Sequence, residues 1–333
     1  MSWQDKLFGA KSSPYLALGR LGNSHPWVWI IGIILIWVGS NILARFTVNV
    51  GNTFITIFLP ELYHGLNDDR AQINSLDIYF QIIYYGLWIV SVFSCLWLAQ
   101  KLLRGRPFSE LITARLRFSL KRFIVATCIS LIVISISYIL CEMIERNFGS
   151  VSTLEFNGVK AIKTEGEIDI SKILSIPVII ILCFFASLTF TAFVHGFILQ
   201  GLSQFSKNKL FLIAGASLFA LAYYSYPYFY LAPSTLPEII GSIGFYLFFA
   251  YIIIIDKGLE FSIGVYFADE IIYELIIAQT YTFFSSSTIF SDYSDQTYTD
   301  TTLAILSYGV IAAIAWKLRV PIKPGDNIED IYD

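Results

Sequence analysis

His195 sits inside the apolar run TFTAFVHGFILQGL, and Tyr266, Asp269, Glu270 and Glu274 sit inside another, GLEFSIGVYFADEIIYELI. Ionisable groups cost about 2.5–3.5 kcal/mol each at the centre of a membrane helix, so they persist where they face a protein interior or water. A histidine beside a carboxylate can orient a water or hold a metal ion, and a series of carboxylates can pass protons. Tyr266, Glu270 and Glu274 are spaced i, i+4, i+8 and share one helix face. At 1.5 Å per residue, His195 lies about 12 Å from the inner end of its run, and Tyr266 and Glu270 lie about 12 and 18 Å from Gly258. Phe219 and Tyr223 form another i, i+4 pair, with Tyr223 about 21 Å deep. Three runs thus bring polar groups to overlapping depths, which predicts one intramembrane cavity lined by His195, Tyr223, Tyr266 and Glu270.

The elements that must position these groups are membrane helices. The chain has 333 residues, of which 56% are hydrophobic and 14% charged, and its mean hydropathy is +0.66. A soluble domain averages roughly 45–50% apolar and about 25% charged residues. That excludes a cytoplasmic globular enzyme and a disordered tail. The net charge of −3 supplies no basic field for a nucleic acid. The four cysteines (Cys95, Cys128, Cys141, Cys183) lie singly in or at the end of apolar runs and read as small buried hydrophobes. No zinc-binding H-E-x-x-H helix, Walker loop or G-x-S-x-G elbow is present, and three histidines are too few for a multi-histidine metal site.

A helix needs about 20 mostly apolar residues to cross a bilayer. Eight candidate spans run near 27–44, 78–100, 123–141, 174–202, 210–226, 239–255, 259–284 and 302–320. Residues 46–60 contain Gly51, Asn52 and Pro60 and read as an interfacial stretch. The first run is an uncleaved anchor rather than a signal peptide. With the N-terminus inside, 16 of the 22 Lys and Arg residues fall on the inner side, seven of them between Lys101 and Arg122. That bias predicts both termini inside. Asn157-Gly158 predicts an exposed β-hairpin between the third and fourth spans.

The order and spacing of three segments resemble the CPBP family of polytopic intramembrane proteases, named for CAAX proteases and bacteriocin-processing proteins and also called the Abi family. Its motifs are Glu-Glu-x-x-x-Arg, usually followed by Gly, then Phe-x-x-x-His, then His-x-x-x-Asn. His195 to Gly201 falls at the first, Ser217 to Tyr223 at the second, and Gly258 to Glu270 at the third. Arg106 to Thr113 is similar to a basic connector of bacterial members. The resemblance covers about residues 100–285. The chain departs at the functional positions. His195 and Gly196 stand where the family has its glutamates, Gln200 where it has arginine, Tyr223 and Tyr266 where it has histidines, and Glu270 where it has asparagine. Gly196 has no side chain to activate water or hold a metal, and tyrosine is a poor general base at neutral pH.

The fold class expected is an all-α polytopic membrane bundle of about eight transmembrane helices with a CPBP-like core. Residues 1–170 would form three spans and the outer hairpin, 171–285 the core, and 286–333 the last span and a cytoplasmic tail. The resemblance implies a protease-like scaffold in a bacterial inner membrane that binds a membrane protein, lipid or peptide, without catalysis. An active endopeptidase with a rearranged site is the alternative. A proton or ion pathway through Asp269, Glu270 and Glu274 is the third reading. No cofactor is expected; His195 with Asp269 or Glu270 could bind a metal only weakly. The expected partners are the lipid bilayer and an unidentified membrane protein or peptide.

Overall fold

The computed structural model describes residues 14–20, 23, 25–58, 78–115, 117–147, 155–156, 163–164, 167–168, 170–224, 236–278, 290–291 and 298–318. These residues fold into helical rods α1 (26–58), α2 (78–103), α3 (Leu120–Asn147), α4 (170–202), α5 (Lys209–Tyr224), α6 (Leu236–Asp256), α7 (260–276) and α8 (Tyr298–Leu318). Among the described residues six stretches are long and apolar enough to cross a membrane: Pro26–Thr47, Tyr85–Leu103, Leu120–Cys141, Leu174–Leu202, Ile239–Asp256 and Thr301–Leu318. The apolar part of α5, Lys209–Ala222, is shorter. Bulky apolar side chains point outward, among them Ile132, Leu218 and Leu306, each more than half exposed. So many large exposed apolar side chains suit lipid rather than water. Together these features mark an integral membrane protein.

Helix α1 opens on Pro26, whose fixed φ suits a first helical position, and His25 Nδ1 accepts from the Trp27 amide at 3.4 Å. The helix runs unbroken through Gly51 and Asn52 to Phe58, where an interfacial break had been expected. One Gly and one Asn cost a helix only about 1 kcal/mol or less each. Pro60, two residues beyond the end, is the stronger stop. The same helix closes on α4 through small residues. A Cβ on Gly32 would lie 2.5 Å from Phe197, and one on Gly201 would lie 2.8 Å from Trp29.

Helix α7 is the central pillar, with nine of the twelve residues Glu260–Ile271 buried. It packs most extensively on α3 and also touches α4 and α6. The closest approach is at Gly264, where a Cβ would lie 2.5 Å from the Phe123 carbonyl oxygen, and Thr127 Oγ1 donates to the Gly264 carbonyl at 3.2 Å. Helix α7 ends at Ile276, short of the expected 284, and leads into a two-residue strand, 277–278. In chain order β1 is 155–156, β2 163–164, β3 167–168, β4 277–278 and β5 290–291. Strand β1 pairs with β5, and a local hairpin joins β2 to β3. Asn157 and Gly158, most of the acidic stretch 285–300 and Tyr228 lie outside the described residues. Cys95, Cys141 and Cys183 are buried, whereas Cys128 is exposed on α3.

Candidate functional site

Residues 191–197 of α4 form π-helical turns, a wider winding that recurs at functional sites and here turns the whole segment inward. His195 is fully buried. Its ring lies among Phe249 at 5.5 Å, Phe190 at 5.9 Å and Tyr246 at 6.4 Å between centroids. Neither ring nitrogen makes a hydrogen bond of good geometry, although the Tyr246 backbone approaches one of them. Thr191 Oγ1 and Ser262 Oγ are also fully buried without a hydrogen bond.

Tyr266 shares two of those aromatic neighbours. It stacks on Phe190 at 4.8 Å and meets Phe249 at 5.8 Å. Its hydroxyl reaches Glu270, which also accepts from Tyr85 Oη at 3.1 Å. Cys183 and Glu274 stand within electrostatic reach of the same tyrosine and glutamate. Asp269, one residue earlier, turns to Tyr308 on α8. The two adjacent acids therefore serve different helix interfaces. His195 and Tyr266 are brought together through Phe190 and Phe249. Among the described residues His195 makes no ion pair with Asp269 or Glu270, and no three His, Cys, Asp or Glu side chains gather as a metal site.

The position next to His195 is filled by residues from three other segments of the core. A Cβ on Gly196 would stand 3.0 Å from Tyr15 Oη, 3.0 Å from Leu259 Cδ1 and 3.1 Å from the Leu111 carbonyl oxygen. Tyr15 is fully buried and donates to that Leu111 carbonyl at 2.6 Å. Burial holds its phenol well above the usual pKa of 10.0, against a lowering hydrogen bond with Gln200. Gln200 in turn accepts from Arg104 at 3.1 Å and donates to the Glu110 carbonyl at 3.0 Å. It belongs to a structural network rather than to the surroundings of His195. Phe219 packs edge-on against Trp37 and Phe193. Tyr223 falls in α5, but its side chain lies outside the described residues.

Arg104 is the hub of that network. Its guanidinium donates to Gln100 Oε1 at 2.9 Å, to Gln200, to the Leu18 carbonyl at 2.9 Å and to the Gly19 carbonyl at 3.4 Å. It also stacks on Trp29 at 4.3 Å. Burial lowers its pKa to about 10, opposed by the Glu110 charge. Ser203 Oγ donates to the Leu16 carbonyl at 2.9 Å, so residues 15–19 are strapped across α4 at Gly196 and Gln200. A second buried cluster fixes the α6–α7 turn. Arg115 bonds Glu260 at 3.3 Å and the Asp256 carbonyl at 2.9 Å, and Arg122 pairs with Asp256. The sequence reading missed both clusters. Their one visible signal was the basic density of residues 101–122.

No family model, curated protein or solved structure matches the chain.

Proposed function

We propose that this chain is a non-catalytic membrane scaffold built on a protease-like frame, with eight crossings, both termini inside, in a bacterial inner membrane. The observation that carries this reading is the Tyr15 hydroxyl against Gly196. The place of a family glutamate has no side chain, and the space beside it belongs to the chain's own N-terminal segment. Gln200, at the arginine position, is engaged by Arg104 and the Glu110 carbonyl. His195 is enclosed by aromatic rings. These residues do not fit a metal ion: Gly196 offers no ligand and no carboxylate pairs with His195. Yet His195, Thr191 and Ser262 carry the cost of buried polar groups with poor partners, which a core kept for packing alone has no reason to retain. That supports descent from a reaction centre. In this reading the scaffold holds a membrane protein or peptide while its old centre stays shut.

The purified protein, incubated with prenylated peptides and with membrane-spanning peptides, should cleave neither above background. Cleavage abolished by His195→Ala would favour an active endopeptidase with a rearranged site. The pairing of Glu270 with Tyr85 and Tyr266, beside Asp269 with Tyr308, favours a second reading as a proton pathway. Proton flux in proteoliposomes that Glu270→Gln removes would establish it.

A further inference from the structure

The C-terminal end of α2 carries a feature separate from the surroundings of His195. Phe93, Ser94, Trp97 and Leu98 line a groove of about 320 Å³ on the helix surface. That lies at the small end of the about 300–1,000 Å³ typical of ligand sites, enough for part of one acyl chain and too small for a whole lipid. Phe108, in the connector after α2, meets Phe93 at 5.0 Å beside the groove. The C-terminal end of the groove is cationic. Lys101 is exposed, and its Nζ lies 4.8 Å from the centroid of the Trp97 ring that lines the groove. Leu102 beside it is 70% exposed.

We propose that this groove is a binding site for one anionic phospholipid, with an acyl chain along Phe93, Trp97 and Leu98 and the phosphodiester at Lys101. The inference rests on α2 lying in a bilayer and on nothing in the scaffold reading. Charge complementarity selects the occupant. A zwitterionic headgroup presents its own cation near the phosphate and gains less from Lys101, whereas an anionic headgroup keeps a net charge for it. Trp97 places the mouth at headgroup level, where indole rings concentrate. The turn that carries Lys101 is held in place. Gln100, on the buried side of the same turn, donates to the Pro107 carbonyl at 3.3 Å and accepts from Arg104. Binding therefore orders little besides the lipid and the Lys101 side chain.

The test uses the full chain, delipidated in detergent, with dioleoyl phosphatidylglycerol or dioleoyl phosphatidylcholine added at equal mole fraction. Retained lipid is read by native mass spectrometry. The wild type should keep a single phosphatidylglycerol with about fivefold preference, the equivalent of about 1 kcal/mol for one basic side chain at a membrane surface. Lys101→Gln, an exposed change that leaves the fold alone, should bring the preference close to unity. Ser94→Trp, which fills the groove, should reduce retention of both lipids. Lys121→Gln, at an exposed base outside the groove, should leave the preference unchanged. Equal retention of the two lipids by the wild type would overturn the proposal. So would a preference that survives Lys101→Gln, or one that Lys121→Gln lowers as much.

Discussion

Replacing Arg104 by Met tests the strap that holds residues 15–19 across α4. The substitution keeps a long apolar side chain beside Trp29 but removes four donated contacts, two of them at 2.9 Å. The Leu18 and Gly19 carbonyls and the amide oxygens of Gln100 and Gln200 lose a buried, charged donor. Each acceptor left unpaired in such surroundings costs about 1–3 kcal/mol. Loss of the stacked cation adds about 0.5–2 kcal/mol. Part of this is offset, because the guanidinium no longer has to be buried, a cost visible in its pKa near 10. The net loss expected is about 2–4 kcal/mol. Arg104→Lys should fall between the two, since it keeps the charge but not the planar fork. Unfolding in mixed detergent micelles, followed by circular dichroism, measures the loss, and limited proteolysis reports residues 14–20. A double-mutant cycle with Gln200→Leu should show coupling of about 0.5–3 kcal/mol. A loss under about 1 kcal/mol, with residues 14–20 as protected as in the wild type, would refute the hub role of Arg104.

Gly264→Ala should destabilise the bundle by about 1–3 kcal/mol in the same unfolding assay, because its Cβ meets the Phe123 backbone rather than a movable side chain. An unchanged stability would mean that α3 and α7 stand further apart. The raised pKa of Tyr15 sets a sign for pH dependence. Its phenol stays neutral in the fold while the unfolded chain ionises near 10, so stability is full below that pH and falls as pH rises past it. Thermal scans between about pH 8 and 11 should show a shallower fall for Tyr15→Phe than for the wild type, and parallel curves would refute the assignment. Reporter fusions at residues 160 and 333 should lie on opposite sides of the membrane, as the bias of 16 of the 22 Lys and Arg residues toward the inner segments predicts. Finding both on one side would remove the eight-crossing topology.

The helical architecture was legible because apolar length is a local signal. The runs at 78–100, 174–202, 239–255 and 302–320 lie within or close to α2, α4, α6 and α8. What one residue does to a helix was harder to read. Gly51-Asn52 looked like a break, but the helix absorbs their modest propensity cost. The partner of β1 was not legible, because it comes from residues 290–291, more than 130 positions away. Depth and face brought His195 and Tyr266 to one neighbourhood, because helical periodicity carries that information. It could not show that Phe190, Phe249 and Tyr246 wrap the imidazole, nor that Asp269 and Glu270 face different helices. The Arg104 hub was invisible for the same reason: its partners Leu18, Gly19 and Gln200 lie 85 to 96 residues away. Tyr15, before the first span, gave no sequence signal of burial beside Gly196.

The enclosure of His195 is most directly measured by cysteine accessibility. In a background with Cys95, Cys128, Cys141 and Cys183 replaced by Ala, His195→Cys places a smaller thiol in the same pocket. Membrane-impermeant maleimides are applied to either face of native membranes. The account predicts no labelling of position 195 from either side, because the Phe190, Phe249 and Tyr246 rings enclose it. Rapid labelling of position 195 would mean that water reaches the His195 pocket, and would contradict the closed-scaffold account.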